Sequence, residues 1–157
     1  MTPPTRYTKA RSRAEVQRIV ASISELRILS TCDAIDGTIT PDSVWRMVAS
    51  YDAVATSTFD LRGRSNADLI GWLQECVQLS GVSTRAFLSL GGFGEWWIEV
   101  EFHPDKRWIS SLWSAMPIHE FLLLASHTRS GVGITEEEHD YRCYPIRVIP
   151  MEGCSSA

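Results

Sequence analysis

The chain has 157 residues, of which 44% are hydrophobic and 22% charged, and its formal net charge is −4 at pH 7. This composition argues against a disordered chain, because burial of so much apolar and aromatic side chain offsets the conformational entropy lost on folding. The negative charge argues against nucleic acid or a membrane as a partner, since both attract basic surfaces. The length suits one domain over residues 1–157.

The first part of the chain is predicted to be helical. A capping-box pattern followed by apolar residues at helical spacing predicts a helix over residues 13–29, after a flexible basic tail at 1–11. Asp36-Gly37 then predicts a turn, and a second amphipathic helix is predicted from Thr40 onwards. The chain is therefore expected to begin as a helical pair.

The middle of the chain combines strands with a third helix. Residues rich in β-branched side chains predict a short strand over 54–61, and a serine N-cap with a glycine beyond the last turn predicts a helix over 66–79. Residues 85–90 and 96–103 are predicted to form a hairpin, and 108–113 a further strand.

The end of the chain has one ambiguous segment. Three consecutive leucines within residues 117–127 suit either a buried strand or a short helix, and we favour the helix. Residues 141–149 predict a final strand at or near a sheet edge, because a proline lies within it, and 151–157 predict a loose tail. The predicted fold is α+β, with an N-terminal helical pair, a third helix and a mainly antiparallel sheet of about five strands.

The clearest pattern in the chain is a period-two alternation over residues 95–103. It places Trp97, Glu99, Glu101 and His103 on one face of a strand and apolar side chains on the other. This polar face is the best candidate site, and it has three interpretations. It is either a solvated face or a partner surface anchored by the indole of Trp97. The third interpretation is a site for acid–base chemistry or metal binding, although no third ligand for a metal is assigned.

An acidic run precedes the last predicted strand. Glu136, Glu137 and Glu138 are consecutive carboxylates, and such runs are commonly solvated loops. If the run lies beside Glu99 and Glu101, the five carboxylates form one negative patch that would attract a basic partner. We therefore include the run among the predicted partner-binding residues.

The cysteines do not form a recognisable pattern. Cys32, Cys76, Cys143 and Cys154 are far apart and include no Cys-x-x-Cys pair, so neither a zinc ribbon nor a disulfide scaffold is indicated. Reduced thiols in a cytoplasmic protein are expected, with no metal and no cofactor. No apolar run reaches the roughly 18 residues that a membrane-spanning helix needs.

Two functions compete at this level. The first is a small acidic binding protein of the immunity or inhibitor type, which occludes a protein partner that has a basic surface. The second follows from the order of elements, which resembles the cone-shaped NTF2-like fold. That resemblance implies an isomerase, dehydratase or cyclase, or a small-molecule binder, with Glu99, Glu101 or His103 in an enclosed pocket. A homodimer formed through the sheet is a third possibility.

Overall fold

The computed structural model describes residues 6–50, 52–103 and 107–148. Within these ranges the chain forms four α-helices and seven β-strands. In chain order they are α1 (Arg6–Ala21), β1 (Leu26–Cys32), α2 (Pro41–Val48), β2 (Ser57–Asp60), α3 (Asn66–Leu79), β3 (Arg85–Leu90), β4 (Trp97–Phe102), α4 (Arg107–Ala115), β5 (Phe121–Ala125), β6 (Ser130–Glu136) and β7 (Asp140–Arg147).

All seven strands belong to one antiparallel sheet in the order β1-β4-β3-β5-β6-β7-β2. Strands β3 and β4, β5 and β6, and β6 and β7 are sequence neighbours that pair directly. The two strands from the first part of the chain, β1 and β2, add to opposite ends of the sheet and form its edges. The strands that are close in sequence therefore occupy the middle of the sheet.

Helices cover the two faces of the sheet unequally. Side chains of α1, α3 and α4 pack with one face in the larger core cluster. The other face has a smaller cluster, to which α2 contributes Val44 and Val48. In β5, Leu123 belongs to the larger cluster, whereas Leu122 and Leu124 belong to the smaller one. Because successive side chains of a strand point to opposite faces, β5 is buried on both sides.

The third helix confirms the prediction for residues 66–79. The backbone N–H of Asp68 donates to Ser65 Oγ at 3.2 Å, and the Ser65 N–H donates to Asp68 Oδ2 at 3.1 Å. These two bonds form a capping box that satisfies backbone donors at the start of the helix. Gly81 follows the helix with a φ of 80°, a conformation that glycine adopts without steric cost.

The predicted helical pair at the start of the chain is wrong. Helix α1 ends at Ala21, and β1 lies between it and α2. Residues that were assigned to the end of the first helix instead pair with β4, where Leu26 lies opposite Phe102. The helix also begins at Arg6, so the predicted tail at 1–11 is helical from that residue onwards. Residues 1–5 lie outside the described part.

Two further assignments are wrong, and one strand was not predicted. Residues 108–113 form helix α4, because Ile109, Leu112 and Trp113 are all buried on one helical face. The favoured helix in 117–127 is strand β5, which pairs with β3 and β6. Strand β6 was not predicted. The final strand, β7, was predicted at or near a sheet edge, and it lies next to the edge strand β2. The predicted tail at 151–157 falls outside the described residues. None of the helices in the described ranges is long and apolar enough to cross a membrane.

Candidate functional site

Trp97, the predicted anchor of the polar face, is a core residue. The side chain is fully buried in the smaller cluster, among residues of α2 and of the turn that precedes it. Its indole N–H donates to the backbone carbonyl of Ile39 at 2.9 Å, and the Phe87 ring packs edge-on with centroids 6.3 Å apart. The alternation of β4 is as predicted, but the expected exposure of Trp97 is wrong, because α2 and the turn cover this end of the face.

Glu101 lies on the uncovered end of the same face, between two arginines. Arg27 on β1 and Arg85 on β3 are its direct cross-strand neighbours. Arg27 Nη2 is 2.8 Å from Glu101 Oε1, and Arg85 Nε is 3.4 Å from Oε2. Such partly exposed pairs contribute about 0 to 1 kcal/mol each to stability. Their electrostatic consequence is that the negative charge of Glu101 is locally compensated.

Glu99 is held in a hydrogen-bond network next to Glu101. The hydroxyls of Ser30 and Ser126 donate to its two carboxylate oxygens at 3.3 Å and 3.0 Å. Arg129 continues the network, since its Nη1 donates to the backbone carbonyl of Ser126 at 2.6 Å. The guanidinium of Arg129 also lies over the Phe87 ring, 5.4 Å from the centroid. Both oxygens of Glu99 therefore have donors within the protein.

His103 follows the end of β4 and is exposed. Together with Arg27 and Glu101 it lines an open cleft of about 230 Å³, where β1 begins and β4 ends. On its other side it lines a cleft of about 340 Å³ between α3 and α4, which also includes Trp108. Within the ranges that the structure describes, no three His, Cys, Asp or Glu side chains are grouped so that they could hold a metal ion.

The acidic run Glu136, Glu137 and Glu138 is exposed at the turn between β6 and β7. The strand registers place this turn at the opposite end of the sheet from Glu101. Two strands, β3 and β5, also lie between β4 and β6. At about 3.3 Å per residue, the offset along the strands alone is roughly 20 Å. The structure therefore does not combine the run with Glu99 and Glu101 into one patch.

A fourth carboxylate lies with the acidic run. Glu120 Oε2 accepts a hydrogen bond from the backbone N–H of Glu136 at 3.0 Å. We call Glu120, Glu136, Glu137 and Glu138 the acidic end. Among the residues that the structure describes, no lysine or arginine makes an ion pair with any of these four carboxylates. Within the same part of the chain the acidic end is compensated less directly than Glu101: His139 Nε2 lies 3.4 Å from Glu138 Oε1, and Arg142 lies near enough to Glu137 for the two charges to interact.

A cleft of about 370 Å³ opens beside the acidic end. Glu120 and Glu137 line it together with two aromatic side chains, Trp45 of α2 and Tyr144 of β7. The indole N–H of Trp45 donates to Ser89 Oγ at 3.2 Å, which holds the ring in place. Glu120, Trp45 and Tyr144 were not among the site residues predicted from the sequence. They lie far apart in the chain, and only the tertiary structure brings them together.

The fold is α+β: over the described ranges it has one seven-stranded antiparallel sheet, with three helices on one face and one on the other. No protein-family model, no curated protein and no solved structure shows a significant match to the chain. A function for the chain therefore has to be inferred from its own residues.

Proposed function

We propose that the protein is a small acidic binding protein that occludes a protein partner with a basic surface, in the manner of an immunity protein or inhibitor. The observation that carries this proposal is the acidic end, whose four carboxylates have no lysine or arginine ion-pair partner in the described residues. Two of them, Glu120 and Glu137, line a cleft with aromatic walls. The proposed contact surface thus includes Glu136, Glu137 and Glu138, which the sequence had predicted as partner-binding residues.

Electrostatics favours the acidic end over the polar face of β4. A cluster of like charges produces a field that attracts an oppositely charged partner and accelerates its association. The charge of Glu101 is instead balanced by Arg27 and Arg85. We therefore expect Glu99, Glu101 and His103 to contribute less to binding, and Trp97 to contribute only through the stability of the fold.

The cleft beside the acidic end suits a basic side chain of the partner. An arginine or lysine that enters it would place its cationic group between the carboxylates of Glu120 and Glu137 and against the rings of Trp45 and Tyr144. Cations bind favourably to aromatic faces, and arginine is enriched at the centres of protein interfaces. Carboxylates and aromatic rings in one concave surface therefore favour a protein partner with an exposed basic residue.

Affinity capture of the protein from its native host, followed by measurement of the dissociation constant of any stoichiometric partner, tests the proposal. The variant Glu136→Gln/Glu137→Gln should weaken binding by at least about 10-fold, because it removes two of the charges clustered at the acidic end. The matched control, Glu99→Gln/Glu101→Gln, removes the same number of charges from the compensated surface and should change binding by less than about 3-fold. A larger effect in the control, or no stoichiometric partner, would contradict the proposal.

A second candidate function, an enzyme or small-molecule binder, is favoured by one observation. Glu101 and His103 line the same open cleft, so a carboxylate and an imidazole would both border a molecule that binds there. Its test is a thermal-shift screen of small metabolites against the wild type. A ligand of this cleft should lose its effect in His103→Ala and keep it in Glu137→Gln. A screen without any such ligand would count against this function.

A further inference from the structure

An exposed leucine lies at the end of the apolar stripe that α3 packs into the larger core cluster. Trp72, Cys76 and Leu79 follow one another at spacings of four and three residues, so the three side chains lie on the same side of the helix. Trp72 and Cys76 are 9% and 4% exposed, whereas Leu79 is 85% exposed. The last turn of α3 therefore has an apolar side chain that no described part of the chain covers.

A cleft of about 180 Å³ lies beside this leucine, between α3 and the sheet. Its apolar walls are Trp72 and Leu79 of α3 together with Val132 and Pro145, which are paired residues of β6 and β7. The indole N–H of Trp72 donates to Ser57 Oγ at 2.7 Å, which restrains one wall. An apolar cavity of about 150 Å³ is large enough to bind benzene, so this cleft has room for one six-membered ring.

Two hydroxyl groups that line the cleft are available only as hydrogen-bond acceptors. The Thr56 hydroxyl donates to the backbone carbonyl of Cys143 at 3.3 Å, and the Ser80 hydroxyl donates to that of Val77. A hydroxyl has a single donor and two acceptor lone pairs. Toward a bound molecule, Thr56 and Ser80 therefore offer oxygen atoms that accept.

Glu75 adds a negative charge at the rim of the cleft. It lies four residues before Leu79 on α3, is exposed and lines the same cleft. Within the described ranges, no lysine, arginine or histidine lies within ion-pair distance of its carboxylate. Apolar walls, acceptor oxygens and one negative charge together complement a molecule that has an apolar body and a cationic donor group.

We propose that this cleft is a binding site for a small organic cation, a primary amine attached to a single apolar ring. The ring would occupy the space between α3 and the paired strands β6 and β7. An ammonium group has three N–H donors and no acceptor, which matches the oxygens of Glu75, Thr56 and Ser80. The cleft lies at the start of β6, whereas the acidic end follows the end of that strand. The inference therefore does not depend on the proposed partner function.

An NMR titration of the ¹⁵N-labelled protein with phenethylamine, a cation at pH 7, tests the proposal. The uncharged analogue 2-phenylethanol has nearly the same shape and serves as the matched probe. The amine should shift the indole resonance of Trp72 and the amide resonances of Leu79 and Val132. It should bind about 3-fold more tightly than the alcohol, as expected of one partly exposed charge pair. No shift of these resonances at millimolar amine, or equal binding of the alcohol, would overturn the proposal.

Two substitutions at exposed positions of α3 test the charge and the apolar wall separately. Glu75→Gln should weaken amine binding by about 3-fold and leave alcohol binding unchanged. Leu79→Lys removes an apolar wall and places an ammonium four residues after Glu75, where it pairs with that carboxylate, so both probes should bind more weakly. The control Asp42→Asn removes one carboxylate from α2, on the opposite face of the sheet, and should change neither. Amine binding that is unaffected by Glu75→Gln, or equally reduced by Asp42→Asn, would contradict the assignment.

Discussion

The indole N–H of Trp97 donates a hydrogen bond of 2.9 Å to the backbone carbonyl of Ile39, which joins strand β4 to the turn before α2. Trp97 belongs to the smaller core cluster. This cluster covers half of the sheet face on which Trp97, Glu99 and Glu101 lie. As a result, that face is divided into a covered end, centred on Trp97, and an open polar end, centred on Glu99 and Glu101.

The contribution of the Trp97 hydrogen bond to stability can be measured by comparing Trp97 with Trp96, its neighbour in the sequence. Trp96 is also buried, but its indole N–H has no hydrogen-bond partner in the described part of the chain. The variants Trp97→Phe and Trp96→Phe remove similar volumes. We expect Trp97→Phe to cost about 0.5 to 1.5 kcal/mol more in the free energy of unfolding, because it removes one of the two hydrogen bonds of the Ile39 carbonyl, which keeps the backbone N–H of Ile35 as its other donor.

Chemical denaturation of both variants provides the measurement. Trp96→Phe keeps an aromatic ring under the cations of Lys9 and Arg13, which lie 5.2 and 5.3 Å from the ring centroid of Trp96. It therefore serves as the control for the loss of indole volume. Equal destabilisation by the two substitutions would show that the bond to Ile39 contributes nothing measurable.

Gly131 should be the least replaceable glycine of the sheet. A Cβ atom at this position would lie 1.8 Å from the carbonyl oxygen of Leu123 on the neighbouring strand, so an alanine requires β5 and β6 to separate. We expect Gly131→Ala to cost more than about 3 kcal/mol or to prevent folding. In helix α3, Gly71 has open space around its position, and Gly71→Ala should stabilise by about 0.5 to 1 kcal/mol. Thermal unfolding of both variants distinguishes these outcomes, and tolerance of alanine at Gly131 would contradict the strand pairing.

Acid should destabilise the protein in part through Asp60. The Arg62 side chain and backbone N–H donate to its carboxylate and lower its pKa to about 2. The unfolded chain binds this proton at a pKa of about 3.9. The contribution of Asp60 to stability is therefore complete above pH 4 and is lost as the pH falls from about 4 to about 2. Unfolding midpoints of Asp60→Asn should decline less steeply over this range than those of the wild type. Parallel curves would refute the effect.

The proposed partner complex should form more slowly at high salt. The screening length shrinks from about 30 Å at 0.01 M salt to about 3 Å at 1 M, which weakens the field of the acidic end. Association rates measured by stopped flow should fall by at least about 10-fold across this range for the wild type, and less for Glu136→Gln/Glu137→Gln. An identical salt dependence in both proteins would mean that the acidic end does not guide association.

Elements with strong local signals were predicted well from the sequence. Helix α3 has its own capping box at Ser65 and a C-terminal glycine at Gly81. The residues at which the helix begins and ends are therefore determined by the adjacent sequence. Strands β3 and β4 were also predicted, because the alternation of β4 is long and a glycine-rich turn precedes it. In these segments the residues that determine the secondary structure lie within the element itself or a few positions from it in the sequence.

Elements whose identity depends on distant partners were not predicted correctly. The apolar run of β5 suits a helix or a strand equally, and it becomes a strand because β3 and β6 pair with it on both sides. Strand β1 was assigned to a helix for the same reason, since its partner β4 lies far along the chain. In β5, burial on both faces also removes the periodicity that distinguishes a strand from a helix.

The sequence by itself determined the class of fold, the limits of its most local elements and the fact that Trp97, Glu99 and Glu101 share one face. Tertiary structure alone decided that α2 covers Trp97, that arginines from two other strands flank Glu101, and that Glu120 joins Glu136 and Glu137 at the far end of the sheet. The physical reason is that a period of two specifies the side of a strand, whereas exposure and net charge depend on which distant segments pack against that side.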